Sequence, residues 1–179
     1  MTNLIHWKIN KANNKQFHIK PDGSPAYEQR YDRVNAFTWI CFSSKKDGTL
    51  ENTIISLARV KLNNKWFHIN PDGYPVYEQC FDWVSEFSEQ LCLVKLNNEF
   101  FHINLNGTPA YTQRFDVVGD FKESLAVAKL NNEWFHIKKD GTPAYLEKYH
   151  LVENFISNRA RVNINGKWIY IKPDGQIIK

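Results

Sequence analysis

One passage recurs four times with variations: NNKQFHIKPDGSPAYEQRYDRVNAF from Asn13, NNKWFHINPDGYPVYEQCFDWVSEF from Asn63, NNEFFHINLNGTPAYTQRFDVVGDF from Asn97 and NNEWFHIKKDGTPAYLEKYHLVENF from Asn131. A shortened fifth copy, NGKWIYIKPDGQIIK, begins at Asn165. The starts at 63, 97, 131 and 165 are a constant 34 residues apart, whereas the step from 13 to 63 is 50, so the first interval carries 16 extra residues. A fixed period of this length makes the chain an array of like units, each packing on its neighbours, rather than one irregular core.

A 34-residue period also suits pairs of helices, but each copy puts a Gly turn and a Pro where a helix would run, as in Asp72-Gly73-Tyr74-Pro75. Strands fit instead. In ISLARVKL-NN-KWFHIN, β-rich apolar stretches flank Asn63-Asn64, and a two-residue hairpin loop favours the left-handed backbone that Asn and Gly tolerate. Asn165-Gly166 stands at the same place in the fifth copy. Asn70-Pro71-Asp72-Gly73 then reads as a type I turn, after which YPVYEQ folds back as a third strand.

The expected fold is therefore all-β: a tandem array of about five antiparallel three-stranded meander units forming a curved solenoid, an open barrel or a propeller-like ring. The units span residues 4–37, 54–87, 88–121, 122–155 and 156–179 of a single repeat domain, with an insertion at 38–53. Between units, connectors such as Phe81-Asp82-Trp83-Val84-Ser85-Glu86-Phe87 carry apolar residues three apart, which suits one helical or 3₁₀ turn or a loop pegged at three points.

Composition narrows the function classes. Aromatic residues reach 15% of the chain, more than core filling normally demands. The net charge of +4 comes from Lys and Arg interleaved with acidic residues, with no basic run, which is not a nucleic-acid footprint. Cys41, Cys80 and Cys92 are odd in number and do not recur among the copies, as expected of reduced thiols in the cytoplasm. The amino terminus has no apolar stretch of signal-peptide length and no segment approaches a membrane span, so the expected setting is the cytoplasm, with export by a route lacking a cleaved signal as the alternative.

The run Phe121-Lys122-Glu123-Ser124-Leu125-Ala126-Val127, continuing to Glu133-Trp134-Phe135-His136-Ile137 and Asp140-Gly141, resembles the WG-repeat family of bacterial proteins. The likeness extends over nearly the whole chain except the insertion. The Gly that follows Trp in that family is Phe67, Phe135 or Ile169 here, and the Trp itself is Gln16 and Phe100 in two copies. The resemblance implies a β-rich repeat scaffold, without shared catalytic residues, that serves as an interaction module.

His18, His68, His102 and His136 hold one place in four copies, and Tyr170 holds it in the fifth. No carboxylate or thiol recurs beside them, so the expected role is a semi-buried ring donating a hydrogen bond, not a metal ligand. Asp32, Asp82 and Asp116, with His150 in the fourth copy, are expected to tether backbone N–H groups. No grouping of acid, base and nucleophile is present, and no catalytic residue, cofactor or metal is assigned.

Differences among the copies point to recognition. Tyr74 stands where others have Ser24, Thr108 and Thr142, and Trp83 where they have Arg33, Val117 and Leu151. The insertion reads as a projecting hairpin bearing Trp39, Lys45 and Lys46. These five residues are the candidate contacts for an unidentified protein partner. Carbohydrate is the alternative ligand, since Trp and Tyr faces flanked by Asn and Asp suit sugar rings.

Overall fold

The structure is a computed structural model and describes residues 7–46 and 49–178, without the side chains of residues 43–46 and 49–51. The described residues form strands and turns only, and none belongs to a helix long and apolar enough to cross a membrane. They fall into two compact units, the described residues up to 86 with 105–107, and residues 87–104 with 108–178.

Each repeat is built on a hairpin closed by two residues. In the first unit β1 (Lys8–Ala12) pairs with β2 (Lys15–Ile19), and β5 (Thr49–Leu62) pairs with β6 (Lys65–Ile69). Strand β7 (Trp83–Ser88) follows. In the second unit β8 (Leu91–Leu96) pairs with β9 (Glu99–Ile103), β11 (Ala126–Leu130) with β12 (Glu133–Ile137), and β14 (Ala160–Ile164) with β15 (Lys167–Ile171). The closing turns hold Asn63 and Asn64 at φ 49° and 66°, Asn131 and Asn132 at 51° and 66°, and Asn165 and Gly166 at 50° and 84°. Two consecutive left-handed residues define the type I′ turn, whose twist matches that of the strands.

The third strand is not the one expected. YPVYEQ meets β6 through the bridge Ile69↔Pro75, the Tyr74 carbonyl that accepts the Asn70 N–H and the Val76 N–H that donates to the His68 carbonyl, and then turns away. The Pro ring offers no donor and the following residues leave the ladder. Instead the connector, expected as a helical turn or pegged loop, supplies the strand: β3 (Arg33–Val34), β10 (Val117–Val118) and β13 (Leu151–Val152) pair with β5, β11 and β14 of the next hairpin. Just before, the same connector bridges the preceding hairpin at Phe100↔Phe115 and Trp134↔Tyr149. One short segment thus stitches two repeats through backbone hydrogen bonds.

A second joint lies at the Asp-Gly turns. A Cβ at Gly73 would come within 2.4 Å of the Tyr27 ring, and one at Gly141 within 2.6 Å of Tyr111. These glycines let each turn lie on the tyrosine one repeat earlier. Gly23, in the first repeat, meets nothing within 4 Å.

The insertion lengthens a hairpin that the other repeats keep short. Glu89-Gln90, Glu123-Ser124 and Ser157-Asn158 are two-residue turns with positive φ. Phe37 stands where Phe87 does, yet the strand after it, β4 (Thr38–Lys46), continues to Lys46, and its partner β5 begins at Thr49, so each arm is longer by eight residues. The two strands pair from Thr38↔Leu57 to Lys46↔Thr49. An even number per arm keeps every side chain on its face, so β5 runs unbroken from the added hairpin into the repeat.

Candidate functional site

Alternation along the second strand of each hairpin places the histidine on the same face as the residue two before it. The two ends of that face differ. At the histidine end both faces are covered: Phe67 and His68 are 6% and 0% exposed. This corrects the expectation of a semi-buried ring with a single bond. His68 Nε2 lies 3.0 Å from the Ser85 carbonyl and Nδ1 lies 2.7 Å from the Tyr77 hydroxyl. A carbonyl only accepts, so Nε2 carries the proton and the Tyr hydroxyl donates to Nδ1. His18 with Tyr27, His102 with Tyr111 and His136 with Tyr145 repeat the arrangement.

Burial holds these imidazoles neutral. Desolvation outweighs the bond to the carbonyl and lowers the pKa of His68 to about 3 and of His102 and His136 to about 4, with His18 lowered too. The phenols of Tyr27, Tyr111 and Tyr145 are pushed upward by the same burial. Among the described residues no cluster of three or more His, Cys, Asp or Glu side chains is placed to hold a metal ion.

At its turn end the face opens, and side chains meet across the strands. Arg33, Lys61 and Trp66 are directly opposite one another on β3, β5 and β6. In the second compact unit the same register aligns Val117, Lys129 and Trp134, then Leu151, Asn163 and Trp168, and pairs Lys95 with Phe100. A cation lies over each aromatic ring: Lys61 at 6.0 Å from Trp66, Lys95 at 5.4 Å from Phe100, Lys129 at 5.6 Å from Trp134 and Arg161 at 5.1 Å from Trp168. Each contact is worth about 0.5–1 kcal/mol when exposed, which biases the cation toward the ring. The outcome is an aromatic–cation face that recurs in four of the five repeats, the first having Gln16 opposite Lys11 instead.

Of the residues singled out from the sequence, Tyr74 is 60% exposed on its turn, and Trp39 and Trp83 are 40% and 38% exposed. Trp39 borders a hollow of about 30 Å³ with Trp7, Phe37, Ser56 and Pro71, where Trp7 meets Phe37 edge-on at 5.1 Å. Tyr74 and Trp83 do not line that hollow. Lys45 and Lys46 lie on β4, and their side chains are outside the described residues. An aromatic, mildly basic repeat surface is what the sequence leads one to expect; the pairing of a cation with each ring is absent from that expectation, although cross-strand register contains it. A two-residue loop at 63–64 makes 61 face 66, and the same count finds the other pairs.

The connector aspartates act as expected. Asp32 accepts the Asn63 N–H at 2.8 Å, Asp116 accepts that of Asn131 at 3.0 Å, and His150 Nδ1 accepts that of Asn165 at 3.1 Å. Lys15 pairs with Asp32 at 2.5 Å and Lys65 with Asp82 at 2.6 Å. The Lys15 ammonium and the Asn63 N–H hold the Asp32 carboxyl below its ordinary pKa.

Compared with protein families, the chain matches at residues 69–100, 103–134 and 146–168 the family described as "WG containing repeat". At residues 60–75 and 162–177 it matches the family described as "Putative cell wall binding repeat". A comparison with curated proteins finds no match.

Proposed function

Because this chain belongs to the WG-repeat family, we propose that it is a non-catalytic binding module whose aromatic–cation face engages a repeating cell-wall glycan polymer. The observation that carries this reading is the recurrence of the face itself. A globular protein partner presents no 34-residue period, whereas a polymer offers the same group at every step, and weak contacts then add as linked sites. A half-exposed ring beside a held cation suits a sugar face next to a hydroxyl or an acidic group. The two segments similar to the cell wall repeat are those that carry Trp66 and Trp168.

The test is co-sedimentation with purified insoluble cell wall. The wild-type chain is expected in the pellet, and the combined Lys129→Ala and Trp134→Ala variant is expected to need about tenfold more wall for half retention, as for a truncated aromatic anchor. Equal retention of both would overturn the assignment of the face.

A second reading, a protein partner, has its own observation. The hollow at Trp7, Phe37 and Trp39 and the long β4–β5 hairpin are built in part from the insertion, which the other repeats lack. Cross-linking through that hairpin, abolished by Trp39→Ala, would support it. The glycan reading places the chain outside the cytoplasm, against the cytoplasmic setting read from its amino terminus, and cell fractionation decides between the two.

A further inference from the structure

Asn132, Glu133, Lys148, His150, Asn163 and Asn165 border a cleft of about 350 Å³ in the second compact unit. It lies between the turn of the β11–β12 hairpin, the connector and the turn of the β14–β15 hairpin. Its volume lies within the roughly 300–1,000 Å³ of small-molecule sites.

Comparison of the repeats shows how this place departs from its siblings. In the first unit, the residue after the Asn-Asn turn is Lys15 or Lys65, and it reaches the connector carboxylate of Asp32 or Asp82. At the cleft both partners have changed: Glu133 stands for the lysine and His150 for the aspartate. His150 still holds the turn through Nδ1, so that nitrogen is an acceptor and Nε2 carries the proton. Among the described residues the Glu133 carboxylate makes no hydrogen bond or close ion pair, and its charge acts on the Lys148 ammonium across the lining. The Lys148 ammonium rests on the Phe135 ring, 3.3 Å from its centroid. The turn keeps its tether while the ion pair is gone.

The geometry points to a subsite for one uncharged, hydroxyl-rich sugar residue. The lining carries one carboxylate and one ammonium, so it favours neither an anion nor a cation. Three carboxamides line it as well; Asn163 Oδ1 already accepts the Gly166 N–H at 3.0 Å, while its amide N–H groups and the Asn132 and Asn165 side chains offer the donors and acceptors that sugar hydroxyl groups match. A phosphate would meet Glu133, and a metal ion would meet Lys148. This inference rests on the glycan reading and deepens it: the recurrent face holds the polymer at every step, and the cleft selects the residue bound at one of them.

The probe is an N-acetylglucosamine tetrasaccharide, titrated while the His150 ring and the Asn163 and Asn165 side-chain amides are followed by NMR. Saturable shifts at these three residues are expected, with a dissociation constant in the millimolar range or below. The double variant Glu133→Lys with His150→Asp rebuilds the ion pair of the earlier repeats and is expected to weaken binding at least tenfold at an unchanged melting temperature. Should it melt early, Glu133→Gln keeps the shape and is expected to weaken binding about threefold. No shift at the cleft, or undiminished affinity in the folded variants, overturns the subsite. If the wild-type chain still sediments with cell wall while the tetrasaccharide leaves the cleft unmoved, the polymer reading stands and the subsite falls. Shifts at the cleft without sedimentation remove the polymer reading and keep the subsite.

Discussion

Lowering the pH from 8 to 5 should unlock the repeats through their buried histidines. The imidazoles of His68, His102 and His136 are held neutral, with pKa values of about 3 to 4, against about 6.5 in an unfolded chain. The folded value is the lower one, so protons bind the unfolded chain first. Each ring's contribution is complete above pH 6.5, falls as pH drops below it, and stops falling below the folded pKa. At pH 5 the unfolded imidazole is about 97% charged and the folded one nearly neutral, which costs about 2 kcal/mol per ring. The second compact unit holds His102 and His136 and loses about 4 kcal/mol; the first loses about 2 from His68, with His18 adding to it in the same direction. Those are large fractions of a marginal stability. Urea unfolding at the two pH values measures the loss: with slopes of about 1–3 kcal/mol/M, the midpoint of the second unit should drop by at least about 1 M. Equal midpoints, or folded-state imidazole resonances titrating near 6.5, would refute the reasoning.

Three further outcomes follow from the geometry. Gly141→Ala should cost about 2–4 kcal/mol, since the new Cβ meets the Tyr111 ring and the backbone is left-handed at φ 79°. Gly23→Ala, with φ 83° and open space around it, should cost only the backbone part, about 1–2 kcal/mol, and thermal melts of the pair separate the two effects. Removing residues 39–46 and 49–56 joins Thr38 to Leu57 through residues 47–48, restores the 34-residue step and should leave the far-ultraviolet spectrum β-rich and cooperative on heating. Asp116→Ala should cost about 1 kcal/mol by freeing the Asn131 N–H, measured by urea unfolding.

Strands, the two-residue turns and the tethering aspartates are legible in the sequence because each is a local event, written in Asn-Asn, Asn-Gly and Asp at fixed offsets. The third strand is not. YPVYEQ has good strand composition, but whether it pairs depends on which neighbour reaches β5 first, and the connector does so through only two residues, Arg33 and Val34. Burial of His68 likewise depends on Tyr77 and the next connector folding over it, which alternation within one strand does not reveal. The recurrent face at Trp66, Trp134 and Trp168 is readable from register. The cleft at Glu133 and His150 is not, because two unremarkable substitutions in different segments only acquire meaning when Lys15–Asp32 shows what they replace.

The direct test of a periodic face for a periodic ligand is affinity as a function of ligand length. Calorimetry with cell-wall glycan fragments of rising length should show the dissociation constant falling steeply once a fragment spans two repeats, and flattening again in the Lys129→Ala, Trp134→Ala variant. An affinity independent of length in the wild-type chain would contradict the account.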